Sequence, residues 1–112
     1  MNEKTRKLMD SLLLYDSDPI KHQGYGDVCY PKLCNELLKD EEAAKQFFRE
    51  CTDHEFDIAA WTYEDLANKF GVSFVKWLVN EASHRKLTEY GLGELETIQI
   101  NADLLPPREH RH

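Results

Sequence analysis

The stretch HEFDIAAWTYEDL, residues 54–66, holds the densest group of side chains that could do chemistry, and it contains no lysine or arginine. Its carboxylates are those of Glu55, Asp57, Glu64 and Asp65. Carboxylates can work as a general acid and base, hold a metal ion or face a cationic partner. These three kinds of site are therefore the ones to weigh.

A catalytic carboxylate pair needs two acids in one cleft, because only burial or close opposition separates their pKa values. On a helical wheel the four acids instead spread around an apolar stripe. Asp57 and Glu64 flank one edge of that stripe, Glu55 flanks the other, and Asp65 lies nearly opposite the core. We therefore expect all four carboxylates to point into solvent, and we assign no catalytic residue.

Three cysteines and five histidines are the other candidates for chemistry. The odd number of cysteines and the lack of a CxxC pair argue against a disulfide framework and favour reduced thiols in a cytoplasmic protein. No HExxH, zinc-finger or EF-hand spacing occurs, so we predict no metal and no cofactor. A small enzyme that uses His22, Cys29, His54 and Asp57 stays open as an alternative, although no signature marks these residues.

The net charge of −7 comes from one part of the chain. Residues 36–65 hold ten acidic and three basic side chains, a balance that equals the net charge of the whole sequence. A field concentrated in this way repels phosphate and attracts cationic surfaces, so we predict no nucleic-acid partner. No apolar run approaches the length of a membrane span, so we predict no membrane partner either.

Helical periodicity dominates the chain and predicts a mostly all-α fold, a single bundle of about five helices. Apolar residues recur at three- and four-residue steps over 3–16, which predicts the first helix. Residues 16–27 are rich in Asp, Pro and Gly and are typical of a loop. Pro31 suits the first turn of the next helix, and Asp40 is a suitable N-cap for the one after it.

The second half of the chain continues this pattern and then weakens. One helix is predicted to begin at an N-cap, Asp53, and to end at Gly71. Residues 94–101 alternate weakly, so we expect the C-terminal region to be extended or to form a lone short strand. We predict one helical domain over 1–105 and a frayed polar tail over 106–112.

Two apolar side chains of the opening stretch, Ile58 and Trp61, project away from its predicted core stripe. Interfaces draw much of their binding energy from a few aromatic anchors, and surrounding charges steer the encounter. The alternative is a helix buried on two sides, in which case Trp61 and Trp77 belong to the core. The predicted partner-binding residues are Asp53, Glu55, Asp57, Ile58, Trp61, Glu64 and Asp65.

These features favour a non-enzymatic, acidic protein-binding module that covers a basic protein. Among binding functions, inhibition suits the small size and the acidity of the chain best. We therefore predict an immunity or antitoxin-like protein that neutralises a basic partner such as a nuclease toxin. A groove that binds phosphate is also complementary to clustered carboxylates. A self-associating helical module, which would bury Trp61 and Trp77 in a homodimer, is a second alternative beside the small enzyme.

Overall fold

The computed structural model describes residues 1–107, and these residues form helices and no strand, which confirms the all-α prediction. The helices are α1 (Glu3–Ser17), α2 (Gln23–Leu37), α3 (Glu41–Glu50), α4 (Asp53–Ile58), a 3₁₀ helix (Ala59–Thr62), α5 (Tyr63–Phe70), α6 (Val72–Ala82) and α7 (Glu89–Asn101). The chain thus divides into more and shorter helices than the five predicted. Among the described helices, none has the length and apolar character that crossing a membrane requires.

A cluster of aromatic rings from α3, α4 and α5 forms the centre of the core. The ring of Phe48 lies 5.2 Å from that of Phe56 and 5.9 Å from that of Tyr63, between centroids. The buried hydroxyl of Tyr63 donates a hydrogen bond to the Phe56 carbonyl at 3.0 Å, so its burial leaves no polar atom unpaired. These contacts fix α4 and α5 against α3, and with them the 3₁₀ helix that carries the candidate site.

The predicted single helix from Asp53 to Gly71 is interrupted in the structure. Its N-cap is Thr52 and not Asp53, because the Thr52 side chain and the N3 residue Glu55 form a capping box. Ala59–Thr62 is a 3₁₀ helix, in which each residue turns about 20° further than in an α-helix. A helical wheel at a constant 100° per residue therefore misplaces the side chains that follow α4.

The C-terminal prediction of an extended segment or a lone strand is wrong, because residues 94–101 belong to α7. The weak alternation of this segment, with the β-branched Ile98 and Ile100, made it look extended, and two glycines, Gly91 and Gly93, lie just before it. Gly91, Leu95 and Ile98 are buried at four- and three-residue steps, so packing against the core favours the helix over the local propensities. Most of the predicted frayed tail, residues 108–112, lies outside the described residues.

α1 and α2 form a helical hairpin with a shorter connection than predicted, since α1 ends at Ser17 and α2 begins at Gln23. Pro31 consequently lies inside α2 and not in its first turn. Gly26 allows the two helices to approach closely: a Cβ atom there would lie 2.8 Å from the ring of Tyr15. The hairpin therefore brings Tyr15 of α1 against the N-terminal half of α2, where it contacts Gly26 and Tyr30 next to the candidate site.

Candidate functional site

Glu55 is buried, contrary to the solvent exposure that we predicted from the sequence. Its side chain is 5% exposed; one oxygen accepts a hydrogen bond from the Thr52 N–H at 2.9 Å, and the other pairs with the Arg6 guanidinium of α1. Burial alone would raise the pKa of Glu55, but the bonds from Arg6 and Thr52 outweigh it and lower the pKa below its usual value. This carboxylate joins α1 to α4 and is not available to a partner.

Asp57 is also buried, at 8% exposure, because the segment before α7 supplies its hydrogen bonds. Oδ1 accepts from the Thr88 N–H at 3.0 Å, and the Thr88 hydroxyl lies 2.8 Å from Oδ2. A Cβ atom on Gly91 would clash with Oδ1 of Asp57, so the lack of a side chain at Gly91 lets α7 approach this closely. Asp57 therefore anchors the N-terminus of α7, where a negative charge is favourable.

Two further predicted site residues are engaged within the fold. Ile58 is 4% exposed and belongs to the core, as the alternative of a helix buried on two sides predicts for this residue. Asp53 is partly exposed and lies 3.5 Å from Nη1 of Arg85. The guanidinium of Arg85 also donates to the Phe48 carbonyl at 3.1 Å, at the C-terminal end of α3. These contacts attach α4 to the end of α3.

The remaining predicted site residues, Trp61, Glu64 and Asp65, are exposed as predicted. Trp61 is 62% exposed, and its ring stacks on that of Tyr30 with 4.9 Å between centroids and 26° between planes. Tyr30 in turn makes an edge contact with Tyr15, at 6.2 Å. Trp61 therefore stands on an aromatic base formed by the α1–α2 hairpin, with most of its surface open to solvent.

A groove of about 620 Å³ lies beside this aromatic stack, and we call it the Trp61 groove. Its walls include Tyr15, Asp27, Tyr30, Pro31, Cys34, Trp61 and Asp65. The α2 residues among them recur at three- and four-residue steps, so one face of α2 forms the floor. We did not predict from the sequence that this face of α2 belongs to a site. The signal for it would have been a second stripe on α2, made of aromatic, acidic and thiol side chains.

The two carboxylates of the Trp61 groove differ in their surroundings. The Cys34 thiol donates to Oδ2 of Asp65 at 3.3 Å, and burial together with this carboxylate raises the pKa of Cys34 to about 12. The thiol is therefore a protonated donor and a poor nucleophile. Asp27 forms no ion pair within the described chain, and Pro31 has no N–H to give the Asp27 carbonyl its helical bond.

Six of the ten acids in the segment 36–65 pair with cations of the same fold. Glu36 pairs with Lys4 at 2.6 Å and with Lys39 at 2.7 Å. Other acids of the segment pair within the described chain, as Glu41, Glu42, Glu50, Asp53 and Glu55 do. Glu64 and Asp65 form no ion pair with any described residue. Asp40 and Asp57 form no ion pair there either, but Asp40 caps a helix by accepting from the Ala43 N–H, and Asp57 is buried and accepts from the Thr88 N–H. Glu64 and Asp65 are therefore the neighbouring exposed acids of the segment that lack a cationic partner, and they lie close to Trp61 in the chain.

The residues of the small-enzyme alternative are not brought together by any contact among the described side chains. Cys29 is buried, His22 stacks on a tyrosine ring, and Nε2 of His54 lies 3.1 Å from Oδ2 of Asp16. Over residues 1–107 no group of three or more His, Cys, Asp or Glu side chains is placed to hold a metal ion. The aromatic and acidic Trp61 groove is thus the best-formed candidate site.

Comparisons with known protein families, with curated proteins and with solved structures give no match to this chain. The geometry and charge of the Trp61 groove are therefore the features from which a function can be inferred.

Proposed function

We propose that the protein is a non-enzymatic binding protein that covers a basic surface of another protein with Trp61, Glu64, Asp65 and the Trp61 groove. Its job in this proposal is inhibition, as an immunity or antitoxin-like protein that neutralises a basic partner such as a nuclease toxin. The observation that carries the proposal is a tryptophan 62% exposed on an aromatic base, beside two acids without an internal cation.

An exposed tryptophan is costly to keep in water, and Trp is among the residues that dominate binding energy at interfaces. Tyr30 holds the Trp61 ring by stacking, so little side-chain freedom is lost when a partner binds. Glu64 and Asp65 lie in the first turn of α5, immediately after the 3₁₀ helix. A rigid aromatic anchor edged by unpaired acids is complementary to a cationic protein surface.

Inhibition of a nuclease follows from the same electrostatics. A nuclease needs a cationic groove to hold the phosphate backbone of its substrate. Carboxylates such as Glu64 and Asp65 can occupy that groove in place of phosphates, while Trp61 buries apolar surface and slows dissociation. The inhibitor itself then needs no catalytic group.

The test is charge reversal on the exposed acids. Glu64→Lys with Asp65→Lys is compared with wild type and with Glu3→Lys plus Glu42→Lys. The control pair is matched in net charge, in exposure and in its place in the first turn of a helix, and Glu3 lies at the opposite end of α1 from Tyr15. Each chain is used for affinity capture from the lysate of its native host.

Capture is performed at about 0.1 M and about 1 M salt, between which the Debye length falls from about 10 Å to about 3 Å. We expect one basic protein that wild type and the control retain at the lower salt and that the reversal variant loses. Purified nuclease activity of that protein should then fall to background at equimolar inhibitor. Capture that the Glu64 and Asp65 reversal leaves unchanged would contradict the proposal.

A further inference from the structure

We infer that the Trp61 groove is an arginine site, which takes the guanidinium group of one arginine of the basic partner. This inference rests on the function proposed above and adds which side chain enters the protein and which atoms receive it. At about 620 Å³ the groove is within the range of about 300–1,000 Å³ that is typical of ligand sites. It therefore has room for a long side chain and part of the backbone that carries it.

The aromatic wall of the groove offers one open ring face. Tyr30 covers one face of the Trp61 ring, and the 62% exposure of Trp61 leaves the opposite face in solvent. A planar guanidinium group stacks on such a face through its attraction to the negative face of the ring. The fold already uses this contact elsewhere, since the guanidinium of Arg49 lies 5.3 Å from the ring centre of Trp77.

The groove also supplies acceptors that the fold leaves open. The Cys34 thiol occupies Oδ2 of Asp65, while Oδ1 has no donor among the described residues. The carboxylate of Asp27 likewise has no ion partner there, and the Asp27 carbonyl lacks the helical donor that Pro31 cannot provide. These oxygens are charged or strongly polar, so a cationic donor is the occupant that they favour.

Arginine suits this combination better than lysine does. Its five N–H donors lie in one plane, so it can stack on Trp61 and bond to carboxylates at the plane's edge at the same time. A lysine ammonium is a compact charge and cannot do both with the same geometry. No lysine, arginine or histidine lines the groove in the described part of the chain, so no internal cation competes.

The experiment is an NMR titration of the full chain with a capped Gly-Arg-Gly peptide. Matched peptides carry lysine or citrulline in place of arginine; citrulline keeps the shape of the side chain and removes its charge. The indole N–H signals of Trp61 and Trp77 are assigned with Trp61→Phe and Trp77→Phe variants. We expect the arginine peptide to shift the Trp61 signal with millimolar affinity, the lysine peptide to bind several-fold more weakly, and citrulline at least tenfold more weakly.

Variants then test the acceptors without changing the shape of the groove. Asp27→Asn with Asp65→Asn should lower the affinity for the arginine peptide at least tenfold. The matched pair Glu3→Gln with Glu42→Gln should change this affinity by less than twofold. Both pairs are exposed, and thermal unfolding followed by circular dichroism verifies that each variant folds. Equal binding of arginine and citrulline, a shift confined to Trp77, or insensitivity to the Asp27 and Asp65 pair would overturn the arginine site.

The titration tests the arginine site and the capture experiment tests the binding function, so a negative result in one does not decide the other. If Glu64→Lys with Asp65→Lys abolishes capture of a basic protein but the arginine peptide leaves Trp61 unshifted, the binding function stands and the arginine site is wrong. If the peptide binds at Trp61 with the expected dependence on Asp27 and Asp65 but no protein is captured, the arginine site is supported and the inhibitor function is wrong.

Discussion

Two pairs of acids flank the 3₁₀ helix, and the structure treats them in opposite ways. Glu55 and Asp57, which precede it, are buried and bound by donors from elsewhere in the chain, the guanidinium of Arg6 and the N–H and hydroxyl of Thr88. Glu64 and Asp65, which follow it, are exposed and have no ion partner in the described chain. The first pair is bound within the fold, and the second faces solvent without a cationic partner.

The comparison teaches that the burial of a carboxylate depends on what distant elements bring to it. A buried carboxylate is tolerated only where hydrogen bonds or an opposite charge replace its hydration. α1 and the segment before α7 provide these groups at α4, and they provide none at the start of α5. Substitutions in the two pairs should therefore separate cleanly into effects on stability and effects on binding.

The largest expected loss of stability comes from Asp57→Ala. This change removes the acceptor of the Thr88 N–H and hydroxyl, and with it the contact that anchors the N-terminus of α7. Hydrogen bonds to a charged group are worth about 1.5–3 kcal/mol, so the free energy of unfolding should fall by at least that amount when both donors of Thr88 lose their acceptor. Urea unfolding followed by circular dichroism measures it, and a loss below about 0.5 kcal/mol would contradict the anchoring role.

Gly91→Ala provides the control for this assignment. In the wild-type background the new Cβ atom meets Oδ1 of Asp57, so we expect a loss of about 1–3 kcal/mol. In the Asp57→Ala background the clash is absent, and alanine should be neutral or stabilising by up to about 1 kcal/mol, as in an ordinary helix. Additive effects in this double-mutant cycle would show that Gly91 and Asp57 are not in contact.

Glu55→Gln should destabilise the protein in a pH-dependent way. The folded pKa of Glu55 is lowered, so its contribution is fully present above the ordinary glutamate pKa of about 4.3 and is lost as the pH falls below it. We expect a cost of about 1–3 kcal/mol at neutral pH that shrinks in acid. Urea unfolding from about pH 7 to about pH 3 measures it, with Glu64→Gln as the matched control from the exposed pair. A cost that stays constant across this range would contradict the assignment.

The fold class was readable from the sequence because it depends on periodic apolar residues. The first helix, the N-cap Asp40 and the helix end at Gly71 all follow from local patterns, and each is confirmed. The prediction of an extended segment or strand over 94–101 was wrong, because α7 is anchored by the carboxylate of Asp57, more than thirty residues away in the chain. Local propensity carries no information about such a contact.

The candidate site was readable only in part, for the same reason. Trp61 and Asp65 could be selected as an exposed aromatic beside an acid, since both are set by residues close in sequence. The helical wheel predicted that Glu55 points into solvent, and this was wrong because its partner Arg6 is on another helix. The floor of the Trp61 groove was missed because the close packing at Gly26 that brings Tyr15 against α2 is a tertiary contact.

Trp61→Ala should affect binding much more than stability, although Trp61 lies between the two pairs of acids in the chain. The exposed ring contributes mainly its stack with Tyr30, so the free energy of unfolding should fall by only about 0.5–1.5 kcal/mol. Dissociation from a captured partner should accelerate at least tenfold, as expected for an interface anchor. Trp77→Ala is the control, because that ring is half-buried under Lys45 and Arg49. It should cost more stability and leave the dissociation rate unchanged.

The smallest expected change in stability belongs to Glu64→Lys with Asp65→Lys. Exposed substitutions usually change the free energy of unfolding by less than about 0.5 kcal/mol each, and loss of negative charge from a first helical turn adds a similar small cost. The total should stay near 1 kcal/mol and match that of Glu3→Lys with Glu42→Lys, measured by urea unfolding. A loss as large as that of Asp57→Ala would mean that both pairs of acids stabilise the fold. The negative charge beside Trp61 would then have a structural explanation, and the distinction between the two sides of the 3₁₀ helix would disappear.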